Sequence, residues 1–288
     1  MTRIRITEVG PRDGLQNEQA LVPVAAKVAF VEALAAAGCS EIEVTSFVPP
    51  KWVPQLADGA EVLRSITRRP GVTYSALVPN ERGLEGALAC GVDAVAVFAA
   101  ASEGFSRRNT NGSIDEVLAR LAPVIRAAKA AGVRVRGYLS CVIACPFDGA
   151  IEPTAVAGCS ARLLELGVDE LDLGDTIGAG TPDSIEAMYA AVATVVEPSA
   201  TILHLHDTRG AALGCVERAL TLGVRAFDSS AGGLGGCPYA PGAPGNLATE
   251  SLVRALHTGG WETGIDADAV ARAAAEVRAS FGARTAAE

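Results

Sequence analysis

Residues 114–140 read IDEVLARLAPVIRAAKAAGVRVRGYLS and contain one complete unit of the predicted fold. The first part, residues 114–131, has the apolar period of a helix, and Gly132 can end that helix. The chain then enters a strand-like run, residues 134–140. The order of Ala-rich helix, glycine and β-branched run recurs around four further glycines: Gly38, Gly91, Gly167 and Gly223. This repetition predicts parallel strands that alternate with helices.

The whole chain contains eight such units. The predicted strands are residues 4–9, 41–45, 73–78, 94–99, 134–140, 170–173, 201–206 and 226–230. The predicted helices are residues 23–37, 57–66, 81–90, 114–131, 154–166, 182–196, 209–222 and 247–257. Eight strand–helix units favour an α/β fold with a single (β/α)8 TIM barrel over an open sheet. We predict one domain over residues 1–288, with residues 266–288 as a C-terminal helical extension.

The composition is typical of a compact enzyme. The 288 residues are 49% hydrophobic and 20% charged, which is enough to bury a large core. A net charge of -9 argues against a nucleic-acid or anionic-membrane partner, because either would need a basic face. Seven cysteines without framework spacing favour a reducing compartment, and the sequence contains no apolar signal segment. We therefore expect a cytoplasmic protein.

Two of the chain's three histidines lie two positions apart in residues 201–207, TILHLHD. Residues i and i+2 of a strand point to one face, so His204 and His206 can present two imidazoles side by side. The strand is broken after Asp207, which puts the pair at its C-terminal end. Active sites of barrel enzymes lie at that end. The pair is half of a predicted metal site.

Other predicted strand ends also carry reactive side chains. They are Arg12 and Asp13 after the first strand, Glu43 on the second, Asp175 after the sixth, and Cys237 and Asn246 after the eighth. A carboxylate, two imidazoles and an amide oxygen form a mixed donor set that favours Mg²⁺ or Mn²⁺ over zinc. A cysteine in a glycine-rich loop is either a proton donor, a nucleophile or an incidental small residue.

Several long motifs resemble those of the 3-hydroxy-3-methylglutaryl-CoA lyases. The motifs are EVGPRDGLQNE at 8–18, TSFV at 45–48, KWVP at 51–54, LGDTIG at 173–178 and GLGGCPYA at 233–240. The resemblance runs from about residue 4 to residue 265. That family of metal-dependent barrel enzymes cleaves 3-hydroxy-3-methylglutaryl-CoA (HMG-CoA) to acetyl-CoA and acetoacetate. The resemblance therefore implies a retro-Claisen cleavage.

The resemblance also implies roles for individual residues. The implied ligands for magnesium or manganese are Asp13, His204, His206 and Asn246. Arg12 matches the arginine that steadies the thioester oxygen as an enolate develops, and Cys237 matches the acid that protonates the leaving carbanion. Glu43 and Asp175 match two active-site carboxylates. Asp175 is the candidate base, and Glu43 is either catalytic or a structural partner of Arg12.

A CoA thioester should also be recognised through its phosphates. We predict that Arg107, Arg108 and Asn109 form a basic polar loop after the fourth strand that meets them. An ordinary solvated loop is the alternative. Arg136 on the fifth strand matches a family arginine, and we place it with the CoA-binding residues.

Two positions near the pocket depart from the family pattern. Asp172 stands where the best-known relatives have serine, and Arg209 where they have tyrosine. An inward Asp172 would repel an anionic substrate or need a partner such as Arg209. The reaction class is therefore predicted more firmly than the substrate.

Other functions stay open at this point. The alternatives are a lyase for another 3-hydroxy-3-alkyl acyl-CoA thioester, a 4-hydroxy-2-oxoacid aldolase or an isopropylmalate-type synthase of the same metal-barrel group, and a metal-binding scaffold without activity. The partner that we expect is a small acyl-CoA molecule, bound by a homo-oligomer, a dimer or larger.

Overall fold

The computed structural model describes residues 3–235 and 245–281. Eight parallel strands form a closed barrel, in which β1 pairs with both β2 and β8. The strands are β1 Arg5–Glu8, β2 Glu41–Ser46, β3 Thr73–Leu77, β4 Ala94–Ala100, β5 Arg134–Ser140, β6 Glu170–Asp175, β7 Thr201–Leu205 and β8 Ala226–Ser229. The predicted TIM barrel is confirmed.

Ten α-helices lie within the described residues. They are α1 Val24–Ala36, α2 Gly59–Ser65, α3 Glu81–Ala89, α4 Glu103–Thr110, α5 Ile114–Ala130, α6 Pro153–Leu166, α7 Pro182–Val192, α8 Ala212–Thr221, α9 Thr249–Thr258 and α10 Ala267–Ala279. The last of these contacts α1 and α9 and forms the described part of the predicted C-terminal extension. In the part of the chain that the structure describes, no helix is both long and apolar enough to span a membrane.

The barrel buries apolar residues outside its strands and charged residues inside. Leu171 and Leu173 of β6 are fully buried in the layer between strands and helices. Asp172, between them, points the other way and forms an ion pair with Arg136 of β5. A buried charge must be paired, and the interior contains further ion pairs among Arg5, Glu41, Arg134 and Glu170. The barrel interior is therefore polar.

The segment after β4 has a different secondary structure from the predicted one. The basic loop expected after β4 is the helix α4, which Ser102 caps by accepting the Phe105 N–H at 3.1 Å. Phe105 is the large apolar residue that this helix buries, so the segment shows no helical period of apolar residues. A short hairpin between residues 144–145 and 149–150 was also not predicted.

Candidate metal and active site

Three side chains with metal-binding donors meet at the C-terminal ends of β1 and β7. The Nε2 atoms of His204 and His206 are 3.4 Å apart, and Asp13 Oδ2 lies 3.9 Å from His204 Nε2. One donor atom from each residue lies within 4.8 Å of the other two. The structure thus brings three of the four predicted metal ligands together.

The turn after β1 places Asp13 and its neighbour Arg12. Residues Gly10–Gly14 form one turn of π-helix. The Val9 carbonyl oxygen accepts the N–H groups of both Arg12 and Asp13, at 3.1 and 2.7 Å. Single π-turns of this kind are frequent at functional sites. The wide turn holds both side chains beside the strand ends.

Both imidazoles are oriented by acceptors at their Nδ1 atoms. His206 Nδ1 lies 2.7 Å from the Thr176 carbonyl oxygen, and His204 Nδ1 lies 3.3 Å from Asp228 Oδ2. Each Nδ1 therefore carries the proton, which leaves the two Nε2 atoms facing each other. Burial is the largest cause that lowers the pKa of His206 to about 4. Two facing nitrogens beside a carboxylate fit a divalent cation.

Asn246, the fourth predicted ligand, reaches the same place from beyond β8. Its Nδ2 donates to Asp13 Oδ2 at 2.7 Å and to the Leu234 carbonyl oxygen at 3.1 Å. Its backbone pairs with that of His206 in an antiparallel bridge. A metal ion would take the oxygen of the same amide group. All four predicted ligands are therefore neighbours.

Arg12 is fixed by two carboxylates. Its Nε donates to Glu43 Oε2 at 2.5 Å, and its Nη1 donates to Asp13 Oδ1 at 2.6 Å. The guanidinium carbon lies 5.1 Å from the centre of the Tyr138 ring. Burial alone would lower the pKa of Arg12, but the charges of Glu43 and Asp13 raise this pKa well above its ordinary value. Arg12 is thus a cation with a fixed orientation.

Glu43 contacts Arg12 through one oxygen only. The same oxygen, Oε2, lies 3.1 Å from the Tyr138 hydroxyl. The buried Oε1 atom has no hydrogen-bond partner among the residues that the structure describes. Burial raises the pKa of Glu43, and the charge of Arg12 opposes this rise. The free oxygen gives Glu43 room to act in proton transfer as well as to hold Arg12.

Arg136 lies inside the barrel, with 7% of its surface exposed. Its Nη1 contacts Asp228 Oδ1 at 2.8 Å and Asp172 Oδ2 at 3.2 Å, and its Nη2 donates to Thr7 Oγ1 at 2.5 Å. The guanidinium of Arg136, which we placed with the CoA-binding residues, is engaged by buried acceptors, and its role toward CoA stays a prediction. The inward Asp172 has Arg136 as its partner rather than Arg209.

Asp175 ends β6, beside the strand that carries His204, and its carboxylate holds backbone N–H groups. Its carboxylate accepts the backbone N–H groups of Ala179 and Gly180, at 3.0 and 2.7 Å. The donor group around Asp13 does not include it. Burial raises the pKa of Asp175, and these two N–H groups oppose the rise. These two hydrogen bonds hold the loop before α7.

The predicted CoA residues lie on the surface of α4. Arg107 Nε lies 3.4 Å from Glu103 Oε2, and the Arg108 guanidinium lies 4.4 Å from the centre of the Phe147 ring. Asn109 is exposed. The loop that was predicted here is a helix, yet these side chains are open to an anion.

Cys237 falls in residues 236–244, outside the described residues. The described residues on either side both reach the site. Leu234 accepts a hydrogen bond from Asn246, and Gly245 accepts one from the Asp207 N–H at 2.8 Å. The proposed acid role of Cys237 stays a prediction.

Sequence reasoning missed two buried residues that link this site to the barrel interior. The Tyr138 hydroxyl lies 3.1 Å from Asp228 Oδ2 as well as from Glu43 Oε2. Asp228 Oδ2 in turn orients His204. Tyr138 stands two residues after Arg136, on the same face of β5, so strand alternation was the available signal.

Comparison with known proteins agrees with this arrangement. The sequence profile of the HMGL-like family matches residues 3–277. The hydroxymethylglutaryl-CoA lyase of Pseudomonas mevalonii is 52% identical over 282 residues, which cover 98% of this chain and 94% of that protein. The 3-hydroxy-3-isohexenylglutaryl-CoA/hydroxy-methylglutaryl-CoA lyase of Pseudomonas aeruginosa is 50% identical over 280 residues, which cover 97% of this chain and 93% of that protein.

A solved structure gives the same result for the fold. The crystal structure of the HMG-CoA lyase from Brucella melitensis has a TM-score of 0.95 to this chain at 50% identity, covering 97% of this chain and 99% of that one. The resemblance indicated by the sequence motifs is confirmed over nearly the whole chain, and the chain belongs to the HMGL-like family.

Proposed function

We propose that this chain is a carbon–carbon lyase that uses a divalent cation to cleave HMG-CoA to acetyl-CoA and acetoacetate. The observation that carries the proposal is the pair of facing Nε2 atoms of His204 and His206 beside Asp13, in a barrel of the HMGL-like family. The names of the relatives at about half identity support the substrate.

The proposed metal ligands are Asp13, His204, His206 and the amide oxygen of Asn246. This donor set fits Mg²⁺ or Mn²⁺, which prefer oxygen donors and accept imidazole. When bound, such an ion polarises the substrate hydroxyl and orients the carbon–carbon bond that breaks.

The protein's own residues then account for the two proton transfers. A base removes the proton of the tertiary hydroxyl, the adjacent carbon–carbon bond breaks, and its electron pair passes to the thioester as an enolate. Arg12 stabilises the enolate oxygen because its guanidinium is already held in place by Glu43 and Asp13. We propose that the thiol of Cys237 supplies the proton that completes acetyl-CoA.

We propose Glu43 rather than Asp175 as the base. The Oε1 atom of Glu43 has no partner among the described residues, whereas both Asp175 oxygens accept backbone N–H groups. A base needs a lone pair for the proton that it removes, and no described residue uses a lone pair of Glu43 Oε1, whereas each Asp175 oxygen has one engaged. Asp175 then serves to hold the loop before α7.

A second substrate class is favoured by one relative. The Pseudomonas aeruginosa protein is named for a 3-hydroxy-3-isohexenylglutaryl-CoA substrate as well as for the hydroxymethylglutaryl one. A 3-hydroxy-3-alkyl acyl-CoA with a longer branch is therefore the alternative substrate for this chain.

The test is a direct assay of products. Purified protein, freed of metal and then supplied with Mg²⁺ or Mn²⁺, is incubated with HMG-CoA and with its isohexenyl analogue, and products are identified by mass spectrometry. We expect acetyl-CoA and acetoacetate from HMG-CoA. Binding of metal without acetyl-CoA release from either thioester would contradict the proposal, and pyruvate release from a 4-hydroxy-2-oxoacid would indicate an aldolase.

Three finer features belong to the same proposal. We propose that Arg107, Arg108 and Asn109 meet the phosphates of CoA, that the protein forms a homo-oligomer, and that it acts in the cytoplasm. The exposed guanidinium groups on α4 support the first of these.

A further inference from the structure

Glu8, the last residue of β1, is completely buried and uses both of its carboxylate oxygens. Oε1 accepts the backbone N–H groups of Gly10 and Ala231, each at 2.8 Å. Oε2 accepts the hydroxyl of Thr249 at 2.6 Å. Ala231 and Thr249 follow Glu8 in the chain by 223 and 241 residues. One side chain thus joins the turn after β1 to two segments that come much later in the chain.

Two of these segments lead directly to proposed metal ligands. Gly10 begins the π-turn that carries Asp13. Thr249 begins α9, immediately after the short extended segment that contains Asn246. The third segment, Ala231–Gly233, follows β8. Glu8 therefore lies behind the contact between Asp13 and Asn246 rather than in the site itself.

The packing around Glu8 leaves little freedom for a different arrangement. A Cβ atom at Gly10 would lie 2.6 Å from Glu8 Oε1, so the close approach of this backbone requires glycine. The segment Ala231–Gly233, which Glu8 contacts through Ala231, is also held by side chains of α9 and α10. Gly232 donates its N–H to Glu250 Oε2 at 2.9 Å and accepts from Arg278 Nη2 at 2.5 Å. These contacts can thus keep the turn at Gly10 and the segment Ala231–Gly233 at a fixed distance from each other.

We propose that Glu8 is a positioning residue for the lyase reaction, because its carboxylate sets the separation of the segments that carry Asp13 and Asn246. The inference rests on the proposed function and adds a residue to it. The contact that Glu8 maintains is the 2.7 Å hydrogen bond between Asn246 Nδ2 and Asp13 Oδ2. Loss of the carboxylate would leave two backbone N–H groups buried without an acceptor, and the segments would move to satisfy them.

Two conservative variants separate this role from general stability. Glu8→Gln keeps an oxygen for the two N–H groups, and its amide can donate to Thr249, which lies 2.8 Å from the Ser229 hydroxyl and can pass its proton on. Glu8→Asp keeps the charge but is one methylene too short to reach all three donors. The readouts are the Mn²⁺ dissociation constant by calorimetry without substrate, kcat and KM for HMG-CoA, and the Tm.

We expect Glu8→Gln to retain the Mn²⁺ affinity and kcat of the wild type. Glu8→Asp should weaken Mn²⁺ binding and lower kcat by about 10- to 100-fold each, the usual effect of displacing groups that orient metal ligands. If Glu8→Asp does not fold, Gly10→Ala makes the same test, because its methyl group displaces the turn from Glu8.

The matched control is Thr263→Val, at the opposite end of the barrel. The Thr263 hydroxyl is buried, pairs with His257 and accepts the Ile265 N–H, so its loss lowers stability without touching the site. Equal losses of Mn²⁺ affinity in Thr263→Val and Glu8→Asp would overturn the positioning role, as would wild-type affinity and kcat in Glu8→Asp with only a lower Tm. Failure of the wild type to bind Mn²⁺ would instead overturn the proposed function.

Discussion

The imidazole pair shows how single residues orient the donors of the proposed metal site. His204 and His206 share one face of a strand, but their donor atoms face each other because Asp228 and the Thr176 carbonyl hold the other nitrogens. Each ligand is therefore oriented before a metal arrives. Orienting groups of this kind are a large part of the affinity of protein metal sites.

Replacement of the metal ligand and of the proposed acid should have separable effects. We expect His204→Ala to abolish both metal binding and turnover. Cys237→Ala should keep the metal affinity and lower kcat by about 10²- to 10⁴-fold, the usual contribution of a general acid. Calorimetry with Mn²⁺ and acetyl-CoA release measure the two effects. Full turnover in either variant would remove that residue from the proposal.

Glu43 and Asp175 are the two candidate carboxylates for the base, and single substitutions can distinguish them. We expect Glu43→Gln to lower kcat by about 10²- to 10⁴-fold, because the free oxygen that accepts the proton becomes part of a neutral amide. Asp175→Asn should lower kcat much less, since its remaining oxygen still accepts a backbone N–H. Single-turnover cleavage of HMG-CoA gives both values. The reverse order of effects would return the base role to Asp175.

The helix α4 presents two arginines at the end of the barrel where the proposed active site lies. We expect Arg108→Ala to raise KM for HMG-CoA about fivefold, equal to about 1 kcal/mol for an exposed contact with phosphate. Because such a contact is screened, the difference from wild type should shrink at high salt. Arg162→Ala on α6 is the matched control, since it removes an equal charge that pairs with Asp115. Equal KM values in the two variants would exclude Arg108 from CoA recognition.

The strands could be predicted because a helix-ending glycine followed by β-branched residues recurs at Gly38, Gly91, Gly132, Gly167 and Gly223. The polar interior could not be predicted in the same way. Asp172, Tyr138 and Asp228 look like solvent-facing residues in a pattern of alternating strands, because the pattern does not distinguish a polar interior from water. The partner of Asp172 was missed for this reason. The helix α4 was missed because Phe105 alone gives no period.

Glu8 makes the stability of the whole fold depend on pH. Burial raises the pKa of Glu8 from an ordinary 4.5 to about 7. In the unfolded chain this pKa returns to its ordinary value, so the carboxyl contributes stability that is complete below pH 4.5 and is lost as the pH rises through about 7. The full effect is roughly 3 kcal/mol.

The Glu8→Gln variant isolates this effect because its amide does not titrate. We expect the Tm of Glu8→Gln to be close to that of the wild type at pH 5 and above it at pH 8. Differential scanning calorimetry of both proteins at the two pH values measures the difference. A Tm difference that does not change with pH would show that Glu8 keeps the same protonation state in the folded and unfolded chain.

The barrel and its helices form one closed unit over the described residues, and the single domain over residues 1–288 stays a prediction. The net charge of -9 means that the attraction of an anionic thioester must come from local cations such as Arg12 and Arg108. The molecule as a whole would repel its substrate.

The two attachment points of residues 236–244 have a consequence for how this enzyme can change. A Cβ atom at Gly235 would lie 2.7 Å from Asn246 Nδ2, and Gly245 is bonded to Asp207, so both ends are fixed by the barrel beside the metal ligands. A side chain at Gly235 would therefore press on Asn246, a proposed metal ligand, so variants with a changed substrate range should keep glycine at this position.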